Sequence, residues 1–161
     1  MEFFEFIFLG NAMDQWCLAF AWILGGVVAG RLVYRWFSRR LKRMTSRTAS
    51  EMDDLIVDQI EEPIALAVVL LGGWFGYGQL EFGESVDQFM DHVFSIAVAL
   101  DVTWLAARLL DSLVGSFFAR VSKRSESKMV SQVTPILQKT LRAAIWVLGL
   151  IMALNNAGYD V

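Results

Sequence analysis

One cysteine, one histidine and two prolines are all that the 161 residues contain of these three types, and each scarcity removes a class of chemistry. Cys17, alone and within an apolar run, can form neither an intrachain disulfide nor a Cys-based metal cluster, and it reads as a small buried hydrophobe. With His92 the sole histidine there is no Ser/His/Asp grouping, so no catalytic residue, metal or cofactor is expected and the chain reads as a non-enzyme. GGWFGYG, Gly72 to Gly78, lies in an apolar run and cannot work as a phosphate loop. Lys and Arg are missing from whole regions: residues 2–30, 48–107 and 143–161 hold none.

What is present has the charge signature of an integral membrane protein. Thirteen of the fourteen basic residues lie in two stretches, Arg31 to Arg47 and Arg120 to Arg142, and four long apolar runs alternate with them. Basic loops stay in the cytoplasm. That rule puts Glu2, Glu5, Asp14, the loop Glu81 to His92 and Asp160 on the other side, an N-out, C-out chain with four spans. Hydrophobic residues make up 56% without glycine, above the roughly 45–50% of soluble domains with glycine included, so one all-α membrane domain is expected and no folded extramembrane domain. The net charge of −3 averages a basic inner face with an acidic outer one, and nucleic acid is not an expected partner. The aromatic N-terminus lacks the basic region of a cleaved signal peptide and reads as a short interfacial helix on the outer side.

The spans fall at Gln15 to Tyr34, Pro63 to Leu80, Val93 to Ala119 and Ala143 to Tyr159. They group as an outer interfacial segment (1–14), a first transmembrane hairpin with its basic loop (15–80) and a second, paddle-like hairpin (93–161). Met52, Leu55, Ile56, Gln59, Ile60 and Pro63 recur at helical spacing opposite Asp53, Asp54, Asp58, Glu61 and Glu62, which predicts a surface helix that bends at Pro63 into the membrane. A shift of 80 residues lays Asp54 to Gly73 on Thr134 to Ala153, a repeated hairpin pattern with few identities.

Four groups of residues are functional candidates. Asp101, Arg108 and Asp111 share one stripe of the third span, where each charge near mid-bilayer costs about 2.5–3.5 kcal/mol. They read as a polar seam, with Arg108 and Asp111 within ion-pair reach at i, i+3 and Asp101 needing water, Thr103, Trp104 or another helix. Arg31, Arg35, Arg39, Arg40, Arg120, Lys123 and Arg124 are placed to hold lipid headgroups on the cytoplasmic side. Gly26, Gly30, Gly72 and Gly76 form two small-xxx-small pairs for helix packing. Asp87, Asp91 and His92 could hold a weak metal ion, but a solvated acidic loop is the plainer reading.

From Met129 the chain reads MVSQVTPILQKTLRAAIWVLGLIMALNNAGYDV, which resembles the segment before the pore helix in the small-conductance mechanosensitive channel (MscS) family. Its Leu-x-x-x-Gly-hydrophobic-Asp turn is met by Leu154, Gly158, Tyr159 and Asp160. LLDSLVGSFFARVSKR, Leu109 to Arg124, resembles the family's first tension-sensing helix, and Ser50 to Trp74 resembles the extra hairpins of its larger members. The resemblance implies the tension-sensing portion of a subunit that continues past Val161 into a pore helix. It also implies a homo-oligomeric ring, heptameric in the family, that opens on membrane stretch for osmotic protection and sits with its lipids in a bacterial inner membrane. Two other readings stay open: a small transporter with an Asp/Arg relay, and a membrane anchor or scaffold.

Overall fold

The computed structural model describes residues 7–44, 51–124 and 128–158, and within them all side chains except those of 38, 40–44, 51–58, 119–124 and 128–132. A two-residue antiparallel hairpin, β1 (Ile7–Phe8) and β2 (Asn11–Ala12), precedes four helices: α1 (Met13–Met44), α2 (Glu51–Tyr77), α3 (Glu84–Arg124) and α4 (Lys128–Asn156). All four are long and apolar enough to cross a membrane, and the chain is a multi-pass all-α membrane protein with one small β appendage.

From Ile7 the hairpin stands where an interfacial helix is expected; residues 1–6 of that segment lie outside the described residues. Leu9 and Gly10 both take positive φ, 51° and 82°, the pattern of a two-residue turn whose twist matches that of paired strands. α1 starts directly after it: the Gln15 side chain accepts the Ala12 N–H at 2.8 Å, half of a capping box. α3 starts nine residues before the expected Val93. Gly83 O accepts the N–H groups of Val86 and Asp87 at 2.8 and 3.1 Å, while Glu84 and Asp87 set negative charge against the positive helix end. The expected outer loop Glu81 to His92 therefore shrinks to a turn, with Asp87, Asp91 and His92 on a helix. Tyr77 donates its hydroxyl to Asp87 at 2.5 Å. Among the described residues no group of three or more His, Cys, Asp or Glu is placed to hold a metal.

α2 runs as one helix through Pro63, whose side chain is fully buried; of the expected surface helix, Met52 to Pro63, the side chains of Met52 to Asp58 lie outside the described set. α3, with 41 residues, is about 60 Å long and projects beyond a ~30 Å hydrocarbon core. Gly158 ends α4 with φ 81°, the left-handed conformation that suits glycine after a helix C-terminus; Tyr159 and Asp160 lie outside the described residues.

Each helix packs along its sequence neighbours, α1 on α2, α2 on α3 and α3 on α4. The α1–α2 seam is the tightest. Gly26 meets Gly72 backbone to backbone, Gly30 sits against the carbonyl of Ala65, and Gly76 against that of Ala19, so small residues let the helices touch. Elsewhere burial is slight: only 11–17% of each apolar window is buried, leaving most apolar side chains facing outward. Cys17 is exposed on α1, contrary to the expectation of a buried position, because it lies off the Ala19–Gly26–Gly30 stripe that packs on α2.

Candidate functional site: a charge ladder across three helices

α3 presents two stripes. Phe94, Asp101 and Arg108 recur every seven residues; Thr103, Ala107, Asp111 and Gly115 recur every four. The first stripe meets α2: Phe94 packs edge-on against Trp74 with ring centroids 5.1 Å apart, and Arg108 Nη1 lies 2.5 Å from Glu62 Oε2. The second meets α4: Asp111 pairs with Arg142, the Gln138 amide donates to Asp111 O at 3.2 Å, and Thr103 fills the space beside Gly149.

Arg108 and Asp111 are therefore not paired with each other, as their spacing suggested. Three residues along a helix leave side chains about 60° apart around its axis, enough to aim Arg108 at α2 and Asp111 at α4. Each finds an opposite charge there. The outcome is two pairs bridging three helices. Side-chain exposure of 26% for Arg108, 42% for Glu62, 19% for Asp111 and 58% for Arg142 makes the ladder half-wet. The Arg108 contact is one of charges and not an aligned hydrogen bond, since its Nη1 completes none. The Arg108 guanidinium also stands 5.0 Å from the Trp104 ring centroid, a cation–π distance.

Depth separates the three candidates of the expected seam. From Phe94 to Arg108 is about 21 Å along α3, so Arg108 and Asp111 stand toward one end of the spans. Glu62 is the last charge before the uncharged run of α2, and Arg142 the last before that of α4. Asp101 alone remains near mid-depth. It is 8% exposed, and its Oδ1 is buried without a hydrogen-bond partner. The nearby Thr103 hydroxyl donates instead to Ala99 O at 2.6 Å.

Glu62 and Arg142 escaped the sequence reading, although the 80-residue shift superposes them. Each ends the charged lead-in of a hairpin, which was the available signal. Of the headgroup candidates, Arg31, Arg35 and Arg39 are exposed on α1; Arg35 and Arg39 border a cavity of about 580 Å³ with Leu32, Val33, Trp36 and Phe37. Arg40, Arg120, Lys123 and Arg124 lie in helices, with side chains outside the described set.

Two curated proteins of Methanocaldococcus jannaschii are similar to nearly the whole chain. The large-conductance mechanosensitive channel MscMJLR is 26% identical over 156 residues, 96% of this chain and 43% of that protein. The small-conductance mechanosensitive channel MscMJ is 24% identical over 152 residues, 94% of this chain and 43% of that protein. The chain thus spans less than half the length of these relatives. No family model and no solved structure matches it. Four helices long and apolar enough to cross a membrane and similarity over nearly the full chain liken this protein to mechanosensitive channels.

Proposed function

We propose that the chain is the tension-sensing transmembrane portion of an MscS-type channel subunit, opening on membrane stretch and protecting cells from osmotic downshock. The observation that carries this reading is the similarity of 94–96% of the chain to two mechanosensitive channels. The fold suits the role. Tension favours whichever state occupies more area in the membrane plane, by an energy that differs between two states, and a row of helices with mostly outward-facing apolar surface can change its in-plane area without unpacking a large core.

In this reading α3 and α4 move as a paddle, and the ladder Glu62–Arg108 and Asp111–Arg142 couples α2 and α4 to α3. Half-exposed pairs of this kind contribute little each, about 0–1 kcal/mol, which lets them part and re-form as the paddle moves. Arg31, Arg35, Arg39, Arg40, Arg120, Lys123 and Arg124 hold cytoplasmic headgroups, each near an anionic surface contributing about 1 kcal/mol. The subunits form a homo-oligomeric ring. Both relatives are archaeal, so the proposal is of a cell membrane and does not depend on a bacterial one.

The transporter reading keeps one observation, the buried in-span carboxyl of Asp101. Its supposed relay partners are engaged elsewhere, Arg108 with Glu62 and Asp111 with Arg142. The test is survival of hypo-osmotic shock by cells that lack stretch-activated conductances and express the full-length protein. Rescue is expected, and Glu62→Gln with Arg142→Gln should alter the shock that cells withstand. No rescue by a protein that reaches the membrane in normal amount would count against the sensor.

A further inference from the structure

We propose that the amino-terminal hairpin is a lipid-inserted foot: Ile7, Phe8 and Leu9 lie among acyl chains at the membrane border beside α1, and Asn11 fastens this foot to the turn between α2 and α3. The direction of the hairpin carries the first half. The Trp16 indole N–H donates to Phe8 O at 3.1 Å, and the Phe8 ring packs edge-on against Trp16 at 5.9 Å. Trp16 is in the first turn of α1, whose apolar span begins at Met13. These contacts set Phe8 beside the first turn of α1, where the apolar span begins.

Three consecutive apolar residues there are largely exposed, Ile7 70%, Phe8 54% and Leu9 67%. No charge occurs between Phe6 and Met13. Leu9 is the one non-glycine residue with positive φ among those described, a conformation unfavourable for a side chain with a Cβ and usually left to Gly, Asn or Asp. The turn thus carries an isobutyl group where a polar residue would fit more easily. Aromatic rings flank the foot on the protein side, as Trp16 meets Phe82 and Phe82 stacks on Tyr77 at 5.7 Å; such a belt marks a membrane–water border.

Asn11 carries the second half. It is 0% exposed. Its amide N–H groups donate to Leu9 O at 3.2 Å and Glu81 O at 3.0 Å, and its Oδ1 accepts the Glu81 N–H at 2.6 Å. One side chain pairs with a backbone unit 70 residues away on both its donor and its acceptor. A lateral pull on the foot therefore reaches the α2–α3 turn directly as well as through α1. The placement stands apart from the proposed channel activity; only the transmission of tension rests on that reading.

The experiment labels a single cysteine at Leu9, in a Cys17→Ala background of the full-length protein, with a nitroxide. The protein is placed in vesicles of phosphatidylcholine and phosphatidylglycerol. Collision with oxygen, which concentrates in lipid, is compared with collision with a water-soluble nickel chelate. Oxygen access severalfold above nickel access is expected. Nickel access equal to or above oxygen access would put the tip in water, and low access to both would put it against protein, such as a second copy; either result overturns the foot. Adding Asn11→Ala should raise nickel access at position 9 severalfold, while a label at Val102, exposed mid-span on α3, reports unchanged values and so an intact bundle. An unchanged position 9 in that variant would overturn the fastening role of Asn11.

Discussion

Gly25 and Gly26 are adjacent on α1, yet alanine should act on them with opposite sign. A Cβ added at Gly26 would lie 2.7 Å from Gly72 Cα and 3.3 Å from Gly72 N. Carbon atoms rest at about 3.5–4.0 Å, so α1 and α2 would have to separate by about 1 Å where they touch. Overpacking of this kind costs typically 1–3 kcal/mol, against a helix-propensity gain of up to about 1 kcal/mol for Ala over Gly. A net loss of up to about 2 kcal/mol remains. A Cβ at Gly25 meets nothing within 4 Å, leaving only the gain. At about 2–4 °C per kcal/mol for a chain of this size, Gly26→Ala should melt about 5 °C below Gly25→Ala when unfolding in detergent is followed by tryptophan fluorescence. Melting of Gly26→Ala at or above Gly25→Ala would refute the close α1–α2 contact.

Three further outcomes are expected. Arg108→Leu should lower the melting temperature more than Glu62→Leu with Arg108→Leu, because removing one partner strands a charge and removing both does not; with both groups partly exposed the difference is about 1–2 kcal/mol, and equal melts would mean no coupling. Asp101→Leu should raise stability by about 1–3 kcal/mol, since a buried oxygen without a partner is removed; a lower melting temperature would mean that Asp101 has a partner in the assembled protein. A single cysteine at Glu84 should react with an impermeant maleimide from outside intact cells and one at Arg43 should not, whereas the reverse pattern would invert the N-out orientation that the basic loops imply.

The spans could be read from the sequence because an uncharged run long enough to cross a bilayer has few other uses. The start of α3 was readable too: Val86, Phe89, Met90 and Val93 have helical spacing, but three acidic residues and a histidine between 84 and 92 made the segment look like solvated loop. The hairpin left no such trace. Six residues are too few for a period, and Leu9–Gly10 lacks the Asn-Gly or Asp-Gly signal of its turn type. In the ladder, spacing along one helix suggested Arg108 with Asp111, while the pairs that form depend on which neighbour each side chain faces, and that is settled only when α2 and α4 are in place. Glu62 seemed to belong to a polar surface and Arg142 to a basic loop. Packing gave both a partner on α3.

Tension sensing for a channel is tested by recording from a membrane patch that contains the full-length protein while suction is applied. Ion current evoked by stretch alone is expected, without ligand or ion gradient as trigger. Neutralising Arg120, Lys123 and Arg124 together should shift the suction needed for opening and leave the open-channel current nearly unchanged. Silence up to patch rupture, beside a positive control that opens, would contradict tension sensing.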